Sequence, residues 1–255
     1  SEPLVNLRLL GQRDFALSTL AYFLLGMALF GAIYMIPLYL SQIHDYSPLE
    51  IGEVIMWMGF PQLLVLPLVP KLMERFDGRY LAAFGFLMFS LSYYMNSHMT
   101  ADYAGDQMIA SQIVRALGQP FILVPIGIIA TMHIKPHENA SASTVLNVMR
   151  NLGGAFGIAL VSTLTDNLSR EHLAHIKETL PAVSPIANDY LMQTANIFTQ
   201  AGSDPVTAAA QANALLGQTM TQQAYISAYN DVFFIISGLL LIAVAAVLSI
   251  RRRSD

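Results

Sequence analysis

Apolar residues in this chain fall into six long runs: Phe15–Leu40, Ile51–Val69, Tyr80–Met99, Gln107–Ile134, Asn139–Thr165 and Val232–Ile250. At ~1.5 Å of rise per residue a hydrocarbon core of ~30 Å takes about 20 helical residues, and each run is near or above that length. The runs are continuous and do not alternate, so they predict helices and not the shorter strands of a membrane barrel. The expected fold class is an all-α membrane protein with six transmembrane helices and one helical outer loop.

That loop, Asp166 to Asn230, is the only sizeable polar stretch. Its first part sets Leu168, Leu173, Ile176 and Leu180 near one helical face and stops at Pro181. Further on, Asp204 before Pro205 reads as an N-cap and first helical residue. Gln218 to Val232 holds neither Gly nor Pro, which predicts a helix running unbroken into the sixth span. The chain therefore divides into five spans over 1–165, a helical outer loop over 166–230, and a final span with a basic tail over 231–255.

Composition agrees. Charged residues make up 12% and hydrophobic residues 55%, against about 25% charged in an ordinary soluble domain. The net charge of −4 matters less than its asymmetry. With six crossings, Arg8, Arg13, Lys71, Arg75, Arg79, Lys135 and Arg251 to Arg253 share one side, while the short loops opposite carry Asp45, Glu50, Asp102 and Asp106 and no base. Arg170 and Lys177 lie in the long loop, where the positive-inside rule is weak. This pattern predicts that both termini are cytoplasmic. The absence of Cys excludes a disulfide framework or a thiolate site. The first run is too long for a signal-peptide core, and a chain beginning with Ser is expected to be a fragment or a processed product.

Polar residues inside the spans carry the candidate chemistry. Gln112, Arg115 and Gln119 are spaced by three and four, so they form one stripe on the fourth span, followed by Pro120 and Pro125. Asn147, Arg150 and Asn151 repeat the theme on the fifth. An arginine near mid-span costs about 2.5–3.5 kcal/mol on insertion scales unless it is paired or hydrated. The functional reading is a polar path for substrate or protons, with both stripes facing the interior. The structural reading is that each guanidinium bonds carbonyls or reaches toward headgroups. Gly153 and Gly157, with Gly154 beside them, form a GxxxG pair that allows close helix packing, with direct ligand contact as the alternative.

Arg75, Asp77 and Arg79 stand in the charged loop between the second and third spans, either as a positive-inside anchor or as a latch in which Asp77 and Arg79 pair with helix ends. Glu53 lies one turn inside the second span and is expected to reach water. His133 with His137, and His172 with His175, have no third ligand nearby, so no metal site and no cofactor are expected.

Ser143-x-x-x-Asn147-x-x-Arg150-x-Leu152-Gly153-Gly154-x-x-Gly157-x-Ala159-Leu160 resembles the major facilitator superfamily, in particular the fourteen-span drug:proton antiporters of the EmrB/QacA type. Gln112-x-x-Arg115-x-Leu117-Gly118-x-Pro120 on the fourth span supports it, and the Asp77/Arg79 loop is similar to a degenerate copy of the superfamily's charged motif, with Pro70 and Glu74 where the strict form has Gly and Asp. The resemblance runs over essentially the whole chain but matches only the C-terminal six-helix half of such a transporter. It implies one half-bundle of a proton-coupled multidrug exporter of hydrophobic or amphiphilic compounds in the bacterial inner membrane. It also implies partners: the missing N-terminal half, a periplasmic adaptor and an outer-membrane channel, with no role for nucleic acid. The main proton-carrying acid would then belong to the other half.

Enzymatic and channel readings find less support. A rhomboid-type protease needs a Gly-x-Ser-Gly nucleophile and a later His, and a voltage sensor needs arginines every third residue where only Arg115 occurs. The alternative function is a stand-alone six-span protein acting as a half-size dimeric transporter or a scaffold.

Overall fold

The computed structural model describes residues 11–132, 134–179 and 185–250. Arg8, Arg251 to Arg253, His133, Leu180, Pro181 and both termini lie outside the described residues, as does the side chain of His137. Among those described there are eight α-helices and no strand: α1 (Arg13–His44), α2 (Pro48–Val65), α3 (Leu68–Met73), α4 (Gly78–Met95), α5 (Gly105–Thr131), α6 (Asn139–Thr179), α7 (Pro185–Gln200) and α8 (Pro205–Leu248).

Local sequence sets the helix ends. α1 stops where Asp45 turns left-handed at φ 54°, and the Tyr46 amide then donates back to the Leu40 carbonyl at 3.2 Å. Two residues later Ser47 opens α2 through a capping box: its amide donates to Glu50 Oε2 at 2.8 Å and Pro48 supplies a preset φ. The expected single span Ile51–Val69 is interrupted, because α2 ends at Val65 and α3 begins at Leu68. Pro67 has no amide to give the carbonyl four residues back, and its ring crowds that carbonyl. The fourth span ends three residues earlier than the expected Ile134, in a turn before the short 3-10 helix Pro136–Glu138. α6 and α8 run far past the expected span limits, so the sequence boundaries at 165/166 and 230/231 fall inside continuous helices. Asp204 caps α8 by accepting from the Val206 and Thr207 amides at 3.1 and 3.2 Å.

Among the described residues four helices, α1, α5, α6 and α8, are long and apolar enough to cross a membrane. α2 and α4 have 18 residues each, which at ~1.5 Å per residue is about 27 Å. The polar Glu50, Glu53 and Gln62 on α2 and Arg79, Ser90 and Ser92 on α4 dilute their hydropathy.

α1 packs most extensively on α6 and also on α5 and α8; α4 lies against α5 and α8, α6 against α8, α2 against α5, and α7 against α8. Two glycine seams set these distances. A Cβ on Gly153 or Gly157 would overlap the carbonyls of Phe23 and Met27, and one on Gly26 would overlap the Arg150 carbonyl, so α1 and α6 touch backbone to backbone. Between α4 and α5, a Cβ on Gly85 would stand 2.8 Å from the Gly118 carbonyl oxygen. The outward faces are apolar: Phe84, Leu87 and Leu91 on α4, Met56, Phe60 and Leu63 on α2, and Phe234, Leu241 and Ile242 on α8 are all exposed. Such stripes are unfavourable in water and are satisfied by lipid.

Candidate functional site

One end of the bundle collects arginines, and the other collects acids and tyrosines. At the basic end Asp77 caps α4 by accepting from the Arg79 amide at 3.0 Å. The Arg79 guanidinium pairs with the same carboxylate at 2.8 Å and donates to the Ile250 carbonyl at 2.6 Å. Arg13 reaches the adjacent Ser249 carbonyl at 3.5 Å. Two cations thus meet the carbonyl-rich end of α8, where the helix dipole is negative. Arg75 is exposed. Of the three loop residues, Asp77 and Arg79 are brought together on helix ends and Arg75 is not.

The α5 stripe is internal. Gln112 and Arg115 are 1% and 0% exposed, and Gln119 is half-buried. Arg115 Nε donates to Ser92 Oγ at 3.2 Å, while Ser92 itself donates to the Ser111 carbonyl at 2.8 Å. The guanidinium carbon stands 5.0 Å from the ring centre of Tyr93, a cation–π contact. Both terminal nitrogens of Arg115 and both amide atoms of Gln112 are buried without a protein hydrogen-bond partner. The arrangement holds a cation in low dielectric with an aromatic face and a hydroxyl but, among the described residues, no carboxylate within salt-bridge distance, which is costly in a resting structural role.

The α6 stripe sits elsewhere. Arg150 and Asn147 line a cavity of about 280 Å³ with Tyr22, Gly127, Thr131 and Ser143, between α1, α5 and α6. Arg150 is fixed here because Gly26, having no side chain, lets α1 press on the Arg150 carbonyl. Its Nε is buried and without a protein partner. Asn147 and Asn151 are exposed, so this stripe lies partly on the bundle surface, not wholly inside as the sequence reading has it. The reason is rotational: α6 spends its buried face on Gly153, Gly154 and Gly157, which leaves Asn151 turned outward. Arg115, Gln112 and Gln119 do not line this cavity.

Other sequence candidates separate. Glu53 is exposed and lines a separate cavity of about 310 Å³ with Trp57, Glu50 and Asp106 between α2 and α5. His172 pairs with Asp231 at 2.7 Å and His175 is exposed. Among the described residues no group of three or more His, Cys, Asp or Glu is placed to hold a metal ion.

Sequence reasoning missed the partners of Arg115. Ser92 and Tyr93 lie within an apolar run, and only the mid-span serines Ser90 and Ser92 gave any signal. It also missed the polar end of the α1/α6/α8 contact. There Tyr34, Thr165, Asp166, Tyr225 and Tyr229 come together, from residues separated by up to 195 positions in sequence.

The Major Facilitator Superfamily model matches residues 18–173, from α1 into α6. The chain is 30% identical to the colistin resistance protein EmrB of Acinetobacter baumannii, over 90% of this chain and 44% of that protein. It is 25% identical to the multidrug export protein EmrB of Escherichia coli K12, over 96% and 46%. It is 26% identical to the fatty acid resistance protein FarB of Neisseria gonorrhoeae, over 96% and 47%. The chain therefore spans about half the length of the curated relatives it matches. Taken with the four long apolar helices, these matches make it a multi-pass membrane protein.

Proposed function

Because the chain belongs to the Major Facilitator Superfamily, we propose that it is the C-terminal six-helix half of a proton-coupled exporter of hydrophobic or amphiphilic compounds. In this reading α2 with α3, and α4, are the second and third of six spans. The drug and fatty-acid resistance in the relatives' names supports this substrate class. The same kinship supports a transporter and not an enzyme, and the relatives' bacterial organisms support an inner-membrane location. Cytoplasmic termini are supported by the basic end, where Arg13, Lys71, Arg75, Arg79 and Lys135 collect. A periplasmic adaptor and an outer-membrane channel are partners that this reading adds.

The observation that carries it is the half-open cavity around Arg150. Its polar wall continues onto a bundle surface at Asn147 and Asn151, which is where a second six-helix bundle would close a path. Alternating access needs two bundles rocking about a site between them. The chain alone supplies one wall: Arg150 and Asn147 to orient a polar group, and Arg115 as a buried charge whose surroundings change when the bundle moves.

Liposomes carrying the 255-residue chain, with and without a co-expressed N-terminal half, test this under an imposed proton gradient. Efflux only with both halves is expected. Gradient-driven efflux by the chain alone would overturn the half-transporter reading and favour a half-size dimer. Orientation is read by single-Cys labelling in this Cys-free chain. Thr199→Cys should react with an impermeant reagent in intact cells and Glu74→Cys should not; the reverse pattern would overturn the topology.

A further inference from the structure

Three consecutive residues of α8 bind three different neighbours. Tyr229 donates to Gln42 Oε1 on α1 at 2.9 Å. Asn230 takes both backbone groups of Met99, just past the 3-10 turn that follows α4: it accepts from the amide and donates to the carbonyl, each at 2.8 Å. Asp231 meets His172 of α6 at 2.7 Å. At about 100° per residue, three successive side chains sweep more than half of the helix circumference, which is how one turn reaches three neighbours. Immediately inward, Val232 and Phe233 are fully buried, so this turn is where α8 leaves the bundle.

The three ties differ in kind. Those of Tyr229 and Asn230 join groups that stay neutral between about pH 5 and 8, whereas the third joins an imidazole to a carboxylate, 32% and 47% exposed. A protonated ring turns that contact into a charge-assisted bond, and a neutral ring leaves an ordinary one at best. The tie is therefore fullest while the ring is charged and the carboxylate ionised, and it weakens as pH rises and the ring loses its proton. Past His172, α6 has little else to hold it: Leu173 and Ile176 are half-buried, and the other residues from 174 to 179 are exposed.

Other ionisable groups surround the pair. On α6, Glu171 and His175 flank His172, and Asp166 and Arg170 lie within two turns of it. α8 adds Tyr225 and Tyr229, and α1 adds Tyr34 with His44 and Asp45 at its end. The turn after α4 carries His98, and α7 carries Asp189; α5 meets α6 around Arg150, at the opposite end. Between about pH 5 and 8 only the histidines of this set change charge. His44 bonds the Tyr103 carbonyl and His98 the Ser97 hydroxyl, each at 3.0 Å, and His175 is exposed. Among the described histidines, His172 is the one paired with a carboxylate.

We propose that His172 and Asp231 form a pH-sensitive clasp: acid in the medium bathing this end of the bundle closes it and holds the last two turns of α6 against α8, and neutral or alkaline medium lets them part. The role of the clasp rests on the exporter reading, in which this end faces the compartment that protons enter from, so an inward proton gradient closes it.

The test is amide exchange of the 255-residue chain in nanodiscs at about pH 5.5 and about pH 8. Protection factors over residues 173–179, corrected for the intrinsic pH dependence of exchange, should be about threefold lower at the higher pH, within the factor of about five that a partly exposed pair can supply. His172→Gln and Asp231→Asn should each abolish the difference, and His175→Gln should behave as wild type. His172→Arg, whose charge is permanent, should keep the low-pH protection at both values, which separates loss of the clasp from mere unfolding of the segment. A flat wild type, a difference that survives in His172→Gln or Asp231→Asn, or a His172→Arg chain that still follows pH would overturn the clasp. Nanodiscs expose both faces to one buffer, so the result does not depend on transport or on sidedness. Joined halves that fail to transport, with these profiles intact, would sink the exporter reading and leave the clasp standing.

Discussion

Replacing Gly153 by Ala puts one methyl group where α1 and α6 are closest. The new Cβ would overlap the Phe23 carbonyl and crowd its carbonyl carbon and Cα, all backbone atoms that no rotamer change can move. α1 must then shift away from α6 by roughly 1 Å, and a gap of that size forfeits a quarter to a half of the dispersion energy of the atoms lining it. Because α1–α6 is the most extensive helix contact in the bundle, the cost belongs at or above the upper end of the usual ~1–3 kcal/mol for overpacking. At ~3 kcal/mol the folding equilibrium constant falls by about two powers of ten. Reversible unfolding in mixed micelles, followed by loss of helical signal, measures this. Gly26→Ala meets the same seam from the other helix, so the double variant should cost clearly less than the sum of the two. Gly238→Ala is the reference, since nothing lies within 4 Å of a Cβ there; it should be neutral or stabilising by up to ~1 kcal/mol. A Gly153→Ala chain as stable as wild type would refute the backbone-contact account of this interface.

Arg79→Ala removes the charge-assisted bonds to Asp77 and to the Ile250 carbonyl, worth about 1.5–3 kcal/mol for a charged hydrogen bond. Amide exchange in the last turn of α8 should speed up by at least about tenfold, with Lys restoring part of it; unchanged exchange would leave Arg79 a mere surface anchor. Arg115→Met deletes a buried charge that lacks a carboxylate, and Ser92 keeps its bond to the Ser111 carbonyl. Thermal stability should therefore hold or rise by ~1–3 kcal/mol, while efflux by the joined halves drops; a large loss of stability would make the guanidinium structural. Hydrogen bonding from the Thr207 side chain, with further bonds from the Thr207 and Val206 amides, holds the Asp204 carboxyl below the usual carboxylate range. Its contribution to the start of α8 is thus full above that range and lost as pH falls through the lowered value. Protection factors of the Val206 and Thr207 amides, corrected for the intrinsic pH dependence of exchange, should fall on acidification in wild type and stay flat in Asp204→Asn; identical corrected profiles would refute the cap.

Much of the bundle was written locally. A run of apolar residues specifies a membrane helix because lipid leaves the backbone no other way to satisfy its hydrogen bonds, so α1, α5, α6 and α8 were legible. Asp204 before Pro205, and the stretch without Gly or Pro after Gln218, announced a long α8 for the same local reasons. Tertiary packing decided the rest. The spacing of Gln112, Arg115 and Gln119 made a stripe, but only the approach of α4 gave Arg115 Ser92 and Tyr93. Asn147, Arg150 and Asn151 made a similar stripe, yet the glycine face of α6 claimed α1 and turned Asn151 outward. Helical periodicity fixes which side chains share a face. It does not fix the azimuth of that face in the bundle, which is set by contacts between residues far apart in the chain. The crevice of Tyr34, Asp166 and Tyr225 exists only through such contacts.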